Sequence, residues 1–148
     1  TFLALARAPQ PTQPLDGRNL LPLLTGASDT LGHRPLFWHF PAYLQAYSVT
    51  DEQRDPLFRS RPCGVIRWGN WKLIEYFEDH DLELFDLSQD IGESQNLATA
   101  KPEVTERLHT RLKAWRADLE AATPAAPNPE FDPAAEERAI HRALSRRP

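Results

Sequence analysis

Imidazole and guanidinium side chains can bind an anion, and several of them lie between positions 39 and 61 of this sequence. His39 stands in the aromatic run "FWHF", and Arg59 and Arg61 lie near the end of the segment 41–62. The planar fork of an arginine matches the oxygens of a sulfate or carboxylate group. We therefore predict that His39, Arg59 and Arg61 contact a bound ligand. The alternative is a hydrogen-bonded histidine at a strand end and solvated arginines.

The segment 41–62 shows no helical or strand periodicity. A loop of this length inside a compact domain is usually functional or disordered, and loops on a rigid scaffold often carry binding residues. We expect it to form a binding loop. Besides the two arginines already named, it contains Tyr43, Tyr47 and Arg54.

The other histidines and the acidic residues lack the spacing of a metal site, so we predict no metal site in this chain. The histidines outside "FWHF" do not form an H-E-x-x-H pair and are interpreted as surface residues; they are His33, His80, His109 and His141. Asp86, Asp90 and Glu93 do not match the alternating oxygens of a calcium loop. We interpret Asp90 and Glu93 as turn caps.

The sequence gives equally little evidence for a nucleophilic residue. Cys63 is the only cysteine, so no internal disulfide can form, and its place before an apolar run favours a small core residue. The sequence contains no G-x-S-x-G, phosphate-binding or dinucleotide-binding glycine pattern. From the residues alone we predict no catalytic residue in this chain.

Composition restricts the classes of partner. The chain has 148 residues and a formal net charge of −4, which gives no basic footprint for nucleic acid. No apolar run approaches the roughly 20 residues that span a bilayer. The first residue is threonine, and "TFLALARA" resembles the end of a helix whose beginning is missing. We therefore expect a fragment of a longer protein.

Alternating apolar residues and turn signals predict the elements that would hold these groups. Strands are expected over 36–40, 65–68, 71–77 and 82–87, with Gly69 and Asn70 forming a tight turn. Together they predict a four-stranded antiparallel sheet. Pro102 begins a helical pattern in which one apolar stripe could cover a sheet face; its members are Val104, Leu108, Leu112, Trp115 and Leu119.

The fold class predicted from these elements is α+β, a small antiparallel sheet covered by one long helix. The expected divisions are 1–34, the end of a missing N-terminal domain plus a linker; 35–123, the sheet and helix; and 124–148, a proline-rich tail. Residues 134–147 of that tail either form a short charged helix or lack structure.

The order of motifs resembles the C-terminal part of formylglycine-dependent type I sulfatases, the arylsulfatase and sugar-sulfatase family of the alkaline-phosphatase-like superfamily. The resemblance extends over 1–132, and its most specific part is "WKLI" followed by "LFDLSQDIGESQNLA". It is closer to bacterial sulfatases that act on sulfated sugars than to animal arylsulfatases. The other motifs are "DGRNLLPLLTG", "RPLFWHFPAY" and a helix that begins at "PE" and ends in tryptophan.

The resemblance implies a subdomain that is structural and substrate-facing and that is inactive alone. The formylglycine, the calcium ligands and the sulfate-binding lysine and histidine would precede Thr1, in a missing N-terminal domain that would be the partner of this chain. A sulfated carbohydrate would be the substrate, and the location would be periplasmic or secreted. The C-x-P-x-R signal for formylglycine is not matched by "CGVIR", where Val65 replaces the proline. The alternative is a free-standing protein-interaction module without enzymatic activity.

Overall fold

The computed structural model describes residues 1–45, 55–124, 126 and 128–145, which fall into two compact units. The first unit, Thr1–Arg34, contains two short helices, α1 (Phe2–Leu5) and α2 (Leu21–Leu24). At the start of α2 the Asn19 side chain accepts a hydrogen bond from the Leu21 amide at 3.0 Å. Within the described residues no helix has the length and apolar character needed to cross a membrane.

The second unit, Pro35–Pro148, is built on a four-stranded antiparallel sheet, as predicted. The strands are β1 (Leu36–Phe40), β2 (Leu44–Gln45), β3 (Phe58–Ser60), β4 (Cys63–Trp68), β5 (Trp71–Tyr76) and β6 (Leu82–Asp86). The order in the four-stranded sheet is β1-β4-β5-β6, and β2 and β3 form a separate two-stranded ribbon. Gly69 has a positive φ of 62°, which permits the tight turn between β4 and β5.

The β2–β3 ribbon changes the interpretation of the segment 41–62. Sequence periodicity predicts a loop there, whereas Leu44 and Gln45 pair with Ser60 and Phe58. The strands are too short, and their register too irregular, to produce an alternating pattern. Residues 46–54, which include Tyr47 and Arg54 of the expected binding loop, lie outside the described residues.

Helix α3 (Pro102–Asp118) covers one face of the sheet and forms the core with it. Because sheet residues alternate between faces, the inward positions of three adjacent strands meet the helix. Complete burial of an aliphatic side chain contributes about 1.5–3 kcal/mol, so this cluster is the main source of stability in the unit. Its fully buried members are Ile66, Leu73, Leu84, Leu108 and Leu112.

The far end of the apolar stripe on α3 differs from the prediction. Trp115 packs against the core, and its ring stacks on Phe37 with centroids 4.8 Å apart and an interplanar angle of 5°. Leu119, expected to be buried beside it, is 59% exposed. The helix ends at Asp118, with Leu119 as its C-cap, and the chain leaves the helical direction at Glu120, which has a positive φ of 51°.

A close approach between β4 and α3 depends on Gly64. A Cβ atom at this position would come within 3.3 Å of Arg116 Nη1 and of the Phe77 ring. The absence of a side chain on β4 therefore lets the end of the helix lie against the sheet. The proline-rich segment after α3 leads to a fourth helix, α4 (Pro133–Ser145).

Candidate functional site

Arg61, one of the predicted ligand-binding residues, is the centre of an ionic cluster beside the end of β3. Its guanidinium contacts Asp55, lies 3.2 Å from Glu78 Oε2 and lies 3.3 Å from Glu136 Oε1 on α4. Burial alone would lower the pKa of Arg61, but hydrogen bonds to Asp55 and Glu78 outweigh it and raise that pKa. A sulfate group at Arg61 would therefore compete with three carboxylates.

Asp55 is the most buried of the three carboxylates of this cluster, none of which the sequence analysis singled out. It is 8% exposed, and its Oδ1 accepts the backbone amides of Leu57 and Phe58 at 2.7 and 2.9 Å. The carboxylate thus caps the turn into β3 while its second oxygen contacts Arg61. The signal that could have identified it is the Asp-Pro pair at 55–56, which favours the start of a turn.

Tyr43 joins the same cluster from the residue before β2. Its hydroxyl donates a hydrogen bond to Glu78, and its ring lies 4.8 Å from that of Phe58. Burial, followed by the hydrogen bond to and charge of Glu78, raises the pKa of Tyr43 to about 12. The phenol therefore stays protonated at neutral pH and acts as a fixed donor.

His39 on β1 forms a hydrogen bond to the segment that follows α3. Its Nε2 lies 2.7 Å from the carbonyl oxygen of Ala122, which can only accept, so Nε2 carries the proton. The imidazole also packs on Phe77, with centroids 5.4 Å apart, and its Nδ1 is buried without a hydrogen-bond partner among the described residues. This environment matches the alternative interpretation of His39, a hydrogen-bonded histidine at a strand end.

The predicted ligand-binding residues lie at one end of the sheet. His39 is paired with Gly64 on β4, and its ring contacts Phe77, whose amide donates to the carbonyl of Pro62, the residue after Arg61. Arg59 is the exposed middle residue of β3. A role of His39, Arg59 and Arg61 in substrate binding remains a prediction.

A second ionic cluster lies between the sheet and α3. Glu75 on β5 is 6% exposed and binds Arg116 through two contacts, 2.7 Å to Nη1 and 3.2 Å to Nη2. His109 Nε2 lies 3.2 Å from Glu75 Oε1 but is not aligned for a hydrogen bond. Burial opposes ionisation of Glu75, but Arg116 and His109 outweigh it and lower its pKa. The interpretation of His109 as a surface residue is wrong, because its position on α3 faces the sheet.

The acidic turn after β6 behaves largely as predicted. Asp90 accepts the Gln95 amide at 2.8 Å and the Ser94 hydroxyl at 3.0 Å, and these turn contacts lower the pKa of its carboxyl group. Glu93 instead binds Lys72 Nζ, at 2.7 Å through Oε1. Within the described ranges, no group of three or more histidine, cysteine, aspartate or glutamate side chains is arranged to hold a metal ion.

Comparison with known proteins identifies relatives of this chain. The family model for N-sulphoglucosamine sulphohydrolase, C-terminal, matches residues 1–118. A sulfatase of Formosa agariphila is 30% identical over 125 residues, which cover 76% of this chain and 20% of that protein. An uncharacterised sulfatase of Schizosaccharomyces pombe is 33% identical over 126 residues, which cover 83% of this chain and 21% of that protein. The chain thus spans about a fifth of the length of these curated relatives.

Solved structures share the fold at low sequence identity. A protein described with the metabolism of multiple glycosaminoglycans by Bacteroides thetaiotaomicron has a TM-score of 0.53 and 22% identity, with 78% of this chain and 23% of that chain covered. A 2-O GAG sulfatase has a TM-score of 0.55 and 20% identity, with 86% of this chain and 26% of that chain covered. The four-stranded sheet and helix are therefore a sulfatase fold element, and the match over 1–118 shows that the chain belongs to the N-sulphoglucosamine sulphohydrolase C-terminal family, as a C-terminal portion of a sulfatase.

Proposed function

We propose that this chain is the structural and substrate-facing subdomain of a sulfatase that hydrolyses sulfate esters of sugars, and that it is not catalytic by itself. The family match over residues 1–118 carries the proposal, since the matching model describes the C-terminal part of a sulphohydrolase. The catalytic domain would be the partner that supplies the formylglycine nucleophile and holds calcium.

The state of Cys63 supports a subdomain without its own nucleophile. The thiol is 8% exposed, and its burial raises its pKa, although the Ser60 hydroxyl and the charge of Lys72 oppose this effect. Thiolate is the nucleophilic form of cysteine, so a buried thiol with a raised pKa reacts poorly. Sulfate ester cleavage also needs a group to stabilise developing negative charge, and Arg61 and Arg116 are already paired with carboxylates.

The substrate-facing role would belong to the end of the sheet that contains His39, Arg59 and Arg61. Two observations support it. Arg59 is the exposed residue of β3, and Tyr43, the residue before β2, is 48% exposed. A guanidinium suits a sulfate group and an aromatic ring suits the face of a sugar. The description of one structural neighbour with glycosaminoglycan metabolism supports this class of substrate.

The test compares the 148-residue chain with the polypeptide encoded by the full reading frame. We expect an upstream catalytic domain with a C-x-P-S-R or C-x-P-x-R signal, release of sulfate from sulfated sugars by the full polypeptide, and none by the chain alone. A start codon directly before Thr1 would favour the free-standing interaction module. Turnover by the chain alone that Cys63→Ala abolishes would overturn the non-catalytic role.

A further inference from the structure

Helix α4 is weakly packed and follows the residues that the family model matches. That match ends at residue 118, whereas α4 covers Pro133–Ser145. None of the described residues of α4 is buried, and its least exposed face is only half-buried. Since short helices depend on packing for most of their stability, α4 can leave its position at little cost. The half-buried residues are Ala135, Glu136, Ala139, Ile140 and Ala143.

Glu136 connects this helix to the ionic cluster around Arg61. Its Oε1 lies 3.3 Å from Arg61 Nη2, and the Glu136 and Arg61 side chains are 28% and 25% exposed. An ion pair exposed to this degree contributes little stability, because water screens the charges and two long side chains have to be ordered. The contact therefore covers one side of the guanidinium without fixing α4 firmly.

The three carboxylates of the cluster differ in how firmly they are held. Asp55 is 8% exposed, accepts two backbone amides and contacts both Nε and Nη2 of Arg61. Glu78 lies 3.2 Å from Nη1 and also accepts the Tyr43 hydroxyl. Glu136 has no second side-chain partner among the described residues. It is therefore the carboxylate that an incoming anion would displace first.

We propose that α4 is an autoinhibitory cover of Arg61, in which the Glu136 carboxylate occupies the place of the sulfate group of a bound sugar. This inference rests on the proposed function, which gives the end of the sheet around Arg61 its substrate-facing role. A sulfate ester carries one negative charge, as a carboxylate does, so the exchange leaves the charge of the cluster unchanged. Arginine binds both groups through the same N–H donors. An unsulfated sugar lacks the charge needed to displace Glu136.

The chain between α3 and α4 makes Glu136 an internal competitor of moderate strength. Residues 119–132 join the two helices, and a group tethered in this way reaches an effective concentration in the millimolar range. The apparent affinity for a ligand falls in proportion to the fraction of molecules in which the cover is open. For a partly exposed ion pair, this factor is about two- to fivefold. The cover thus tunes the binding of a sulfated sugar but does not abolish it.

Steady-state kinetics of the full polypeptide test the cover. Glu136→Gln keeps the size of the side chain but removes its charge, and Glu137→Gln makes the same change at the next, exposed position. With a sulfated glycosaminoglycan disaccharide as the probe, we expect Glu136→Gln to lower KM about two- to fivefold at unchanged kcat. Glu137→Gln should leave both constants unchanged. A small aryl sulfate, which would occupy only the catalytic centre, should show the same KM with all three proteins.

Amide hydrogen exchange in α4 gives a readout that does not depend on activity. Because coupling between two equilibria is reciprocal, a ligand that displaces Glu136 must also increase the fraction of molecules in which α4 is open. In the 148-residue chain, we expect the sulfated disaccharide to speed exchange at Ile140 at least twofold. The desulfated disaccharide should have no effect, and exchange at Leu112, which is buried in α3, should not change with either sugar.

The outcomes separate the cover from the proposed function. Equal KM values for the wild type and Glu136→Gln, in a polypeptide that hydrolyses sulfate esters, would overturn the cover and leave the proposed function intact. Unchanged exchange at Ile140, or equal acceleration by the desulfated disaccharide, would overturn the cover as well. A full polypeptide that releases no sulfate would overturn the proposed function and this inference together.

Discussion

Replacing Arg116 by methionine tests whether the ion pair beneath the sheet stabilises the subdomain. The change keeps most of the aliphatic stem but removes both hydrogen bonds to Glu75, which is 6% exposed. Removing one partner of a buried ion pair typically costs about 3–5 kcal/mol, because the other charge stays buried. The Arg116 side chain is 15% exposed and His109 lies 3.2 Å from Glu75, so we expect the lower end, about 3 kcal/mol.

The assay is urea unfolding at pH 7 followed by tryptophan fluorescence. Two further variants make the result specific. Adding Glu75→Gln to Arg116→Met removes the Glu75 charge that has lost its partner. The double variant should therefore recover roughly 1–2 kcal/mol of the lost unfolding free energy. Lys113→Met, an exposed change on the same helix, should stay within about 0.5 kcal/mol of the wild type. A loss below about 1 kcal/mol for Arg116→Met would refute the reasoning.

The same pair predicts the direction of a pH dependence. The pKa of Glu75 is lower in the folded protein than its ordinary value of 4.5, so the unfolded chain takes up a proton first as the pH falls. The contribution of Glu75 is therefore complete above about pH 5 and is lost as the pH falls through the lowered pKa. Unfolding free energies measured between pH 7 and pH 3 should fall more steeply for the wild type than for Glu75→Gln. Parallel curves would contradict this assignment.

Three further outcomes follow from the packing. Trp115→Ala should cost about 2–3 kcal/mol in urea unfolding, because the half-buried indole loses its stack on Phe37, whereas Leu119→Ala should be nearly neutral; equal costs would contradict the described end of α3. Cys63 should react with a thiol reagent at least 100-fold more slowly in native buffer than in urea, since the thiol is buried; fast native labelling would refute this. His39→Ala in the full polypeptide should speed amide exchange after α3, and an unchanged exchange rate would contradict its bond to Ala122.

The sheet and helix could be predicted because their signals are local. The Gly69 turn, the alternation along β5 and the regular stripe through Leu108 and Leu112 each depend on residues a few positions apart. The end of α3 could not be predicted in the same way. The apolar stripe extends to Leu119, one residue beyond the observed helix end at Asp118, so the stripe does not mark where the helix stops.

The ionic clusters could not be predicted because they join elements distant in sequence. Arg61 and Glu136 are 75 residues apart, and Glu75 and Arg116 are 41 apart. Charge and residue type singled out Arg61 as a candidate for ligand binding, and that role stays a prediction. They could not reveal that the chain itself supplies carboxylates for it, because this depends on where the turn at Asp55 and helix α4 come to lie.

The absence of a side chain at Gly64 couples the unfolding of the sheet to that of helix α3. A glycine within a strand costs roughly 0.5–1 kcal/mol of intrinsic strand stability relative to alanine, so the beginning of β4 is weak when considered alone. The same absence of a side chain admits the Arg116 guanidinium and the Phe77 ring, which come within 3.3 Å of where a Cβ would lie. The beginning of the strand therefore gains part of its stability from α3, and the end of α3 lies against the sheet only where the strand is formed. Neither element should melt before the other.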